Sequence, residues 1–234
     1  MSALLNPTLR PTALPELFLP SIANRPLVER LAARVSCSLD EIAAFASVAS
    51  ALEALSGQIL ADRRVTIAQP AGEAIAASAW RAARTAREVA ARPFDQLVAA
   101  ARESDVLVLS SPVASGSGVA PLLSPRELLL LRSRAPRPVI VLDLLDEDLA
   151  RTPLTQPALL LPGTVILRGF GQLWRDAGAD GVADTAFIAG PRDLVSALGA
   201  GPLPQDALER ACAALDLPEI DRTVQARAAT ARGG

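Results

Sequence analysis

Lysine, histidine and tyrosine do not occur among the 234 residues, and cysteine occurs only twice. Without histidine there is no Ser-His-Asp or Cys-His arrangement and no histidine-ligated metal. Without lysine no side chain can form an internal Schiff base. Asp, Glu, Ser, Thr and Cys are left to do chemistry. Cys37 and Cys212 lie far apart with no C-x-x-C spacing, so they read as small apolar side chains in a reducing compartment, not as a disulfide or a ligand pair. All 23 basic residues are arginine, and 25 acidic residues offset them. No overall basic field exists to draw nucleic acid or an anionic membrane, so neither is expected as a partner. Pro, Arg or Asp breaks each apolar run before it reaches bilayer-spanning length, and the start "MSALLNPTLRPTALPELFLP" lacks a basic head followed by an unbroken apolar stretch. A soluble cytoplasmic protein is expected.

What is present is apolar: half of the chain, enough for one sizeable core. Residues 1–24 form a proline-rich N-terminal arm, 25–215 one α/β domain, and 216–234 a C-terminal tail. In "NRPLVERLAARVS", Leu27, Leu31 and Val35 stand at helical spacing behind Asn24 as N-cap and Pro26 in the first turn. "SLDEIAAFASVASALEALSGQIL", opened by a Ser38-x-x-Glu41 capping box, reads as a second, buried helix. The runs at 63–69, 104–111, 137–143 and 163–169 are continuously apolar, as in strands covered on both faces, and helix-length segments separate them. A further strand at 183–190 precedes a helix starting near Pro191. The pattern predicts a mainly parallel sheet between helices, with any ligand beyond the strand ends at Gln69, Ser111, Asp143 and Gly169.

Other constellations have plainer readings. "SSPVASGSG" at 110–118 could cradle an anion on backbone N–H groups, but it is no P-loop and reads as a flexible loop. Asp143, Asp146, Glu147 and Asp148 lack the spacing of a calcium loop and read as a solvated turn, so no metal is expected. Trp80 and Trp174 read as packing anchors. Arg81, Arg84, Arg87 and Arg92 read as the solvated face of an Ala-rich helix.

Four segments, in order, carry a resemblance. "RGFGQLWRDAGAD" from Arg168 is similar to a motif R-S-F-G-K followed by an aromatic pair and A-G-L-R. "SDVLVLSSPVASGSGVAPLLSPREL" resembles a strand, an N-P-N-N-P-T-G loop and a helix opening with proline and an acid. "VIVLDLLDED" resembles a strand ending V-D-E-A-Y, and "LAARVSCSLDEIAAFASVASALEAL" a helix, an acidic turn and G-N-G-S-D-E-A-L. Together these resemble the large domain of class I/II aminotransferase-like enzymes, the fold type I pyridoxal-phosphate group. The likeness is greatest to its branch of histidinol-phosphate aminotransferases and cobalamin-pathway threonine-phosphate decarboxylases. It spans roughly residues 24–215, with the small domain truncated.

The resemblance implies a dismantled site. The Schiff-base lysine falls on Gln172, which cannot form an imine. The phosphate-binding serine before it falls on Gly169, and the arginine of A-G-L-R on or near Asp180. The asparagine partner of the phenolic oxygen falls near Ala114, and the aromatic of V-D-E-A-Y on Asp146. The phosphate loop reads Ala46-Ser47-Val48, with Ser47 its retained donor. Asp143 matches the carboxylate that pairs with the pyridine nitrogen, although a lone Asp at a strand end more often caps a turn.

A non-catalytic binding, regulatory or structural subunit is therefore expected, without cofactor. Pyridoxal phosphate would enter only if a partner chain supplied the lysine. The alternatives are an aminotransferase or threonine-phosphate decarboxylase-like enzyme working with such a partner, cobalamin-related in pathway, and an unrelated α/β protein binding a small anion after residues 111 and 169. The expected partner is a protein, as homodimer or as heteromer with an intact relative. The arm with Leu14, Leu17, Phe18 and Leu19 would pack across the partner.

Overall fold

A computed structural model of the chain describes residues 22–69, 86–110, 113–115, 118–120, 122–145, 161–169 and 185–216. Helix α1 (Arg25–Val35) has proline in its first turn and ends at Ser36 in the left-handed region, φ 58°. Its stripe of Leu27, Val28, Leu31, Ala32 and Val35 is buried. Asn24 does not cap it through its side chain. That side chain is turned inward instead: Nδ2 donates to the carbonyl of Gly201 at 2.9 Å, and Oδ1 accepts from the N–H of Leu203 at 2.8 Å.

The expected second helix is divided. The Ser38/Glu41 capping box is present, but it closes one 3-10 turn, Leu39–Glu41. Strand β1 (Ile42–Phe45) follows, and only then α2 (Val48–Leu55), which runs on into a π-helical turn, Ser56–Leu60. Ile42–Phe45 is buried on both faces, and a partner strand supplies its backbone bonds. That pairing outweighs the mild helix preference of an Ala-rich stretch.

Strand β2 (Val65–Gln69) is as expected, but β3 (Ala86–Ala90) falls where an Ala-rich helix was read. Arg81 and Arg84 lie outside the described residues, whereas Arg87 is in this edge strand and ion-pairs with Glu103 at 3.0 Å. Next come α3 (Phe94–Arg102) and β4 (Val106–Ser110). The expected flexible loop contains a hairpin, β5 (Val113–Ser115) paired with β6 (Gly118–Ala120). Ser115 pairs with Gly118 at its closing end. Helix α4 (Pro125–Arg134), β7 (Val139–Asp143), β8 (Thr164–Gly169), β9 (Ala186–Ala189), α5 (Arg192–Ala197) and α6 (Gln205–Leu215) complete the order.

Among the described residues the sheet has seven strands in the order β1-β9-β8-β7-β4-β2-β3. β9 is antiparallel to both of its neighbours, so the other strands share one direction and the sheet is mainly parallel, as expected. One face packs under α1, α3, α4 and α6. The other packs under α2, its π-helical extension and α5. The result is a three-layer sandwich with apolar contact on both faces.

Candidate functional site

The shared strand direction gathers Gln69, Ser110, Asp143 and Gly169 along one edge. This is the edge expected from the apolar runs, with Ser110 one residue ahead of Ser111 as the end of β4. Alternation along each strand then sorts the side chains by face. Val141 and Leu167 join the core under α2, and Leu142 and Ile166 the opposite one. Asp143 and Gly169 thus stand on the α2 face. Arg168, 1% exposed at the end of β8, stands on the other. Arg168 opens the motif that carries the resemblance, yet nothing in its local pattern points to a role for it. A cation at the end of an apolar run reads as a strand terminus until neighbouring layers bury it.

Asp143 is 6% exposed and held from its own strand end. Its Oδ1 accepts from the N–H of Leu145 at 3.2 Å, and Ser110 Oγ, on the neighbouring strand, reaches Oδ2 at 3.5 Å. The first of these is the turn-capping bond that a strand-end Asp commonly makes. Leu144 N–H donates to Leu167 O at 2.9 Å, so β7 stays paired to β8 one residue past Asp143 before the chain turns.

Ser47 is the N-cap of α2. Its Oγ accepts from Ser50 N–H at 3.1 Å and meets Ser50 Oγ at 3.1 Å, while Ser50 Oγ donates to the Ser47 carbonyl at 2.8 Å. The hydroxyl expected to face an anion is engaged in its own helix start. Val48 begins the helix and points over Gly169: a Cβ built on Gly169 would lie 3.7 Å from Val48 Cγ2 and 3.3 Å from Leu145 Cδ2. Ala46-Ser47-Val48 and Gly169 are therefore brought together with Asp143 through Leu145. Ala114 is not on this sheet; it pairs with Val119 in the separate hairpin. Gln172, Asp146, Asp180, Trp80 and Trp174 lie outside the described residues.

Other reactive groups are muted. Burial, helped by Glu41 and Asp40, pushes the Cys37 thiol up to about 12, and burial also raises Cys212. Neither is a thiolate nucleophile near neutral pH. Among the described residues no group of metal-ligating side chains is assembled, and no helix is long and apolar enough to cross a membrane. A cleft lined by Asn24, Val28, Ile42, Arg192 and Ser196 runs beside β1, but none of Ser110, Asp143 or Gly169 lines it.

No family model and no curated protein sequence matches the chain. Solved structures do. L-threonine-O-3-phosphate decarboxylase from Porphyromonas gingivalis superposes with a TM-score of 0.66 at 21% identity, over 86% of this chain and 64% of that one. Histidinol-phosphate aminotransferase from Sinorhizobium meliloti, solved with pyridoxal-5'-phosphate, gives 0.63 at 16% identity, over 87% and 58%. The enzyme of that name from Clostridium acetobutylicum gives 0.66 at 11% identity, over 88% and 63%. The chain spans less than two thirds of the length of each. It has the fold of these fold type I aminotransferase-like structures, the fold that the spacing of its four motif segments resembles.

Proposed function

We propose that this chain is a non-catalytic member of the aminotransferase-like fold, kept as a binding, regulatory or structural subunit. One observation carries this reading: Gln172 stands where the motif has its Schiff-base lysine, in a sequence with no lysine at all. An amide cannot form an imine, so the covalent seat of the cofactor is missing by composition.

The surroundings support the same reading. Of the ring contacts, Asp143 is kept, and its carboxylate is committed to the turn at Leu145 and to Ser110. Of the phosphate contacts, Ser47 is a helix cap, Val48 is apolar and Gly169 has no side chain. The described residues at these positions do not fit pyridoxal phosphate. The partner is proposed to be a protein, either a second copy or an intact relative. Leu129 and Leu130, side by side on α4 and 51% and 45% exposed, support association, since adjacent large apolar side chains are costly to leave in water.

Two measurements test the reading. After incubation with pyridoxal phosphate and borohydride reduction, mass spectrometry should find no adduct on any internal residue; an internal adduct, or amino-acid turnover by the chain alone, overturns the reading. Sedimentation at micromolar concentration should show an assembly with itself or with the relative, and a monodisperse monomer in both settings would remove the subunit role.

A further inference from the structure

We infer that Asp143, matched in sequence to a pyridine-nitrogen partner, is here a positioning residue that turns Leu145 into the phosphate seat, closing it even to a phosphorylated pyridine held without a covalent bond. The inference rests on the non-catalytic reading and goes beyond it. A missing lysine alone leaves room for a cofactor bound non-covalently or served by a partner's amine, whereas a filled seat does not.

The geometry runs through two strand ends and one helix start. β7 remains paired to β8 through Leu144 N–H to Leu167 O, so the turn starts at a fixed point. Asp143 Oδ1 then accepts from Leu145 N–H at 3.2 Å, which curls the backbone over the end of β8. Leu145 Cδ2 comes to rest 3.3 Å from where a Cβ of residue 169 would lie, closer than most such contacts, and Val48 Cγ2 reaches the same point from the start of α2 at 3.7 Å. Leu145 and Val48 both pack against the apolar core under α2. Glycine at 169 is what permits this approach, because a side chain there would compete with Leu145 for the same space. A phosphate brought to this spot would lose hydration against two aliphatic side chains, with no cation among the described residues that contact this point, a cost that polar groups pay wherever they are buried unpaired. Ser47 offers little in return, since its hydroxyl is already shared with Ser50.

The test uses the whole chain and pyridoxamine phosphate, which carries ring and phosphate but no aldehyde, so that its binding does not depend on any lysine. Equilibrium dialysis up to about 1 mM, where even weak specific ligands are seen, should show no stoichiometric binding. Saturable binding at one molecule per chain overturns the inference while leaving the non-catalytic reading intact; an internal borohydride adduct would instead sink that reading. The positioning role has its own readout. Asp143→Asn keeps an oxygen acceptor for Leu145 N–H and should melt close to the parent chain, whereas Asp143→Ala should melt about 2–4 °C or more lower. Equal losses in the two variants, or none in either, would show that the acceptor does not hold the turn.

Discussion

The carboxylate of Glu127 is shared between Arg92 and its own helix start: Oε1 accepts from Arg92 Nη1, while Oε2 accepts from the N–H and Oγ of Ser124 at 2.8 and 2.9 Å. The Arg92 hydrogen bond does most to hold this carboxyl at about 2; burial opposes it and the Ser124 donors add to it. The folded pKa lies below that of an unfolded glutamate, near 4.3, so the stabilisation is complete above that value and is lost as pH falls toward about 2. Glu127→Gln should lower stability at pH 7 by about 1–2 kcal/mol, allowing for screening around the exposed Arg92, and should flatten the acid limb. Denaturant titrations at pH 7, 4 and 2.5 check this; an acid limb as steep as the parent's would mean that another carboxylate controls it.

Two glycines should respond in opposite directions. A Cβ on Gly57, in the π-helical turn after α2, would meet nothing within 4 Å, and Gly57→Ala should gain about 0.5–1 kcal/mol by restricting the unfolded chain. At Gly190, after β9, a Cβ would sit 2.9 Å from the carbonyl oxygen of Thr164 and 3.2 Å from Val165 Cα. These are backbone atoms that cannot swing aside, so Gly190→Ala should cost about 1–3 kcal/mol. Urea midpoints of the two variants, compared at equal slope, decide both.

Asn24 is 3% exposed and ties the start of α1 to the segment between α5 and α6 through bonds to Gly201 and Leu203. Asn24→Ala leaves the Gly201 carbonyl and the buried N–H of Leu203 without their side-chain partner and should cost about 1–3 kcal/mol. Hydrogen exchange at Leu203 should accelerate with it; unchanged protection there would place the amide's bonding elsewhere.

Thr66 and Ser104 share a hydroxyl contact of 2.6 Å, and Ser104 Oγ also donates to the Ala100 carbonyl at 2.7 Å. Both residues are buried, so each hydroxyl depends on the other for part of its bonding. Thr66→Val and Ser104→Ala should each destabilise, and the double variant should cost less than the sum by about 0.5–1.5 kcal/mol. Strict additivity in the double-mutant cycle would mean that the pair is not coupled.

The parallel core was legible because its strands are covered on both faces: "VLVLS", "VIVLD" and "TVILRG" are continuous apolar runs, and only a strand between two helical layers can bury such a run whole. The Ser38-x-x-Glu41 capping box was legible as well, since a cap acts within one turn, although the turn it closes is 3-10 and does not run on into a long helix. β1 and β3 were not legible. "IAAF" is compatible with helix or strand, and β9, far along the chain, decides between them. "AREVA" pairs with β2 alone among the described residues and mixes charge with alanine, so its own pattern is that of a surface helix until β2 is beside it.

The candidate site divides in the same way. Composition by itself determined that no side chain of this protein can form an imine, because the reaction needs a primary amine and no lysine is present. The resemblance of the four motif segments, not composition, singled out Asp143, Ser47 and Gly169. Only the tertiary structure decided what those positions touch: Ser47 caps α2, Asp143 accepts from Leu145 N–H, and Leu145 and Val48 lie over Gly169. Val48, Leu145 and Gly169 are remote in sequence and meet because the parallel sheet brings β7 and β8 to one edge and sets the start of α2 above them. Which side chain fills a given volume depends on contacts between distant segments, and local patterns carry no record of them.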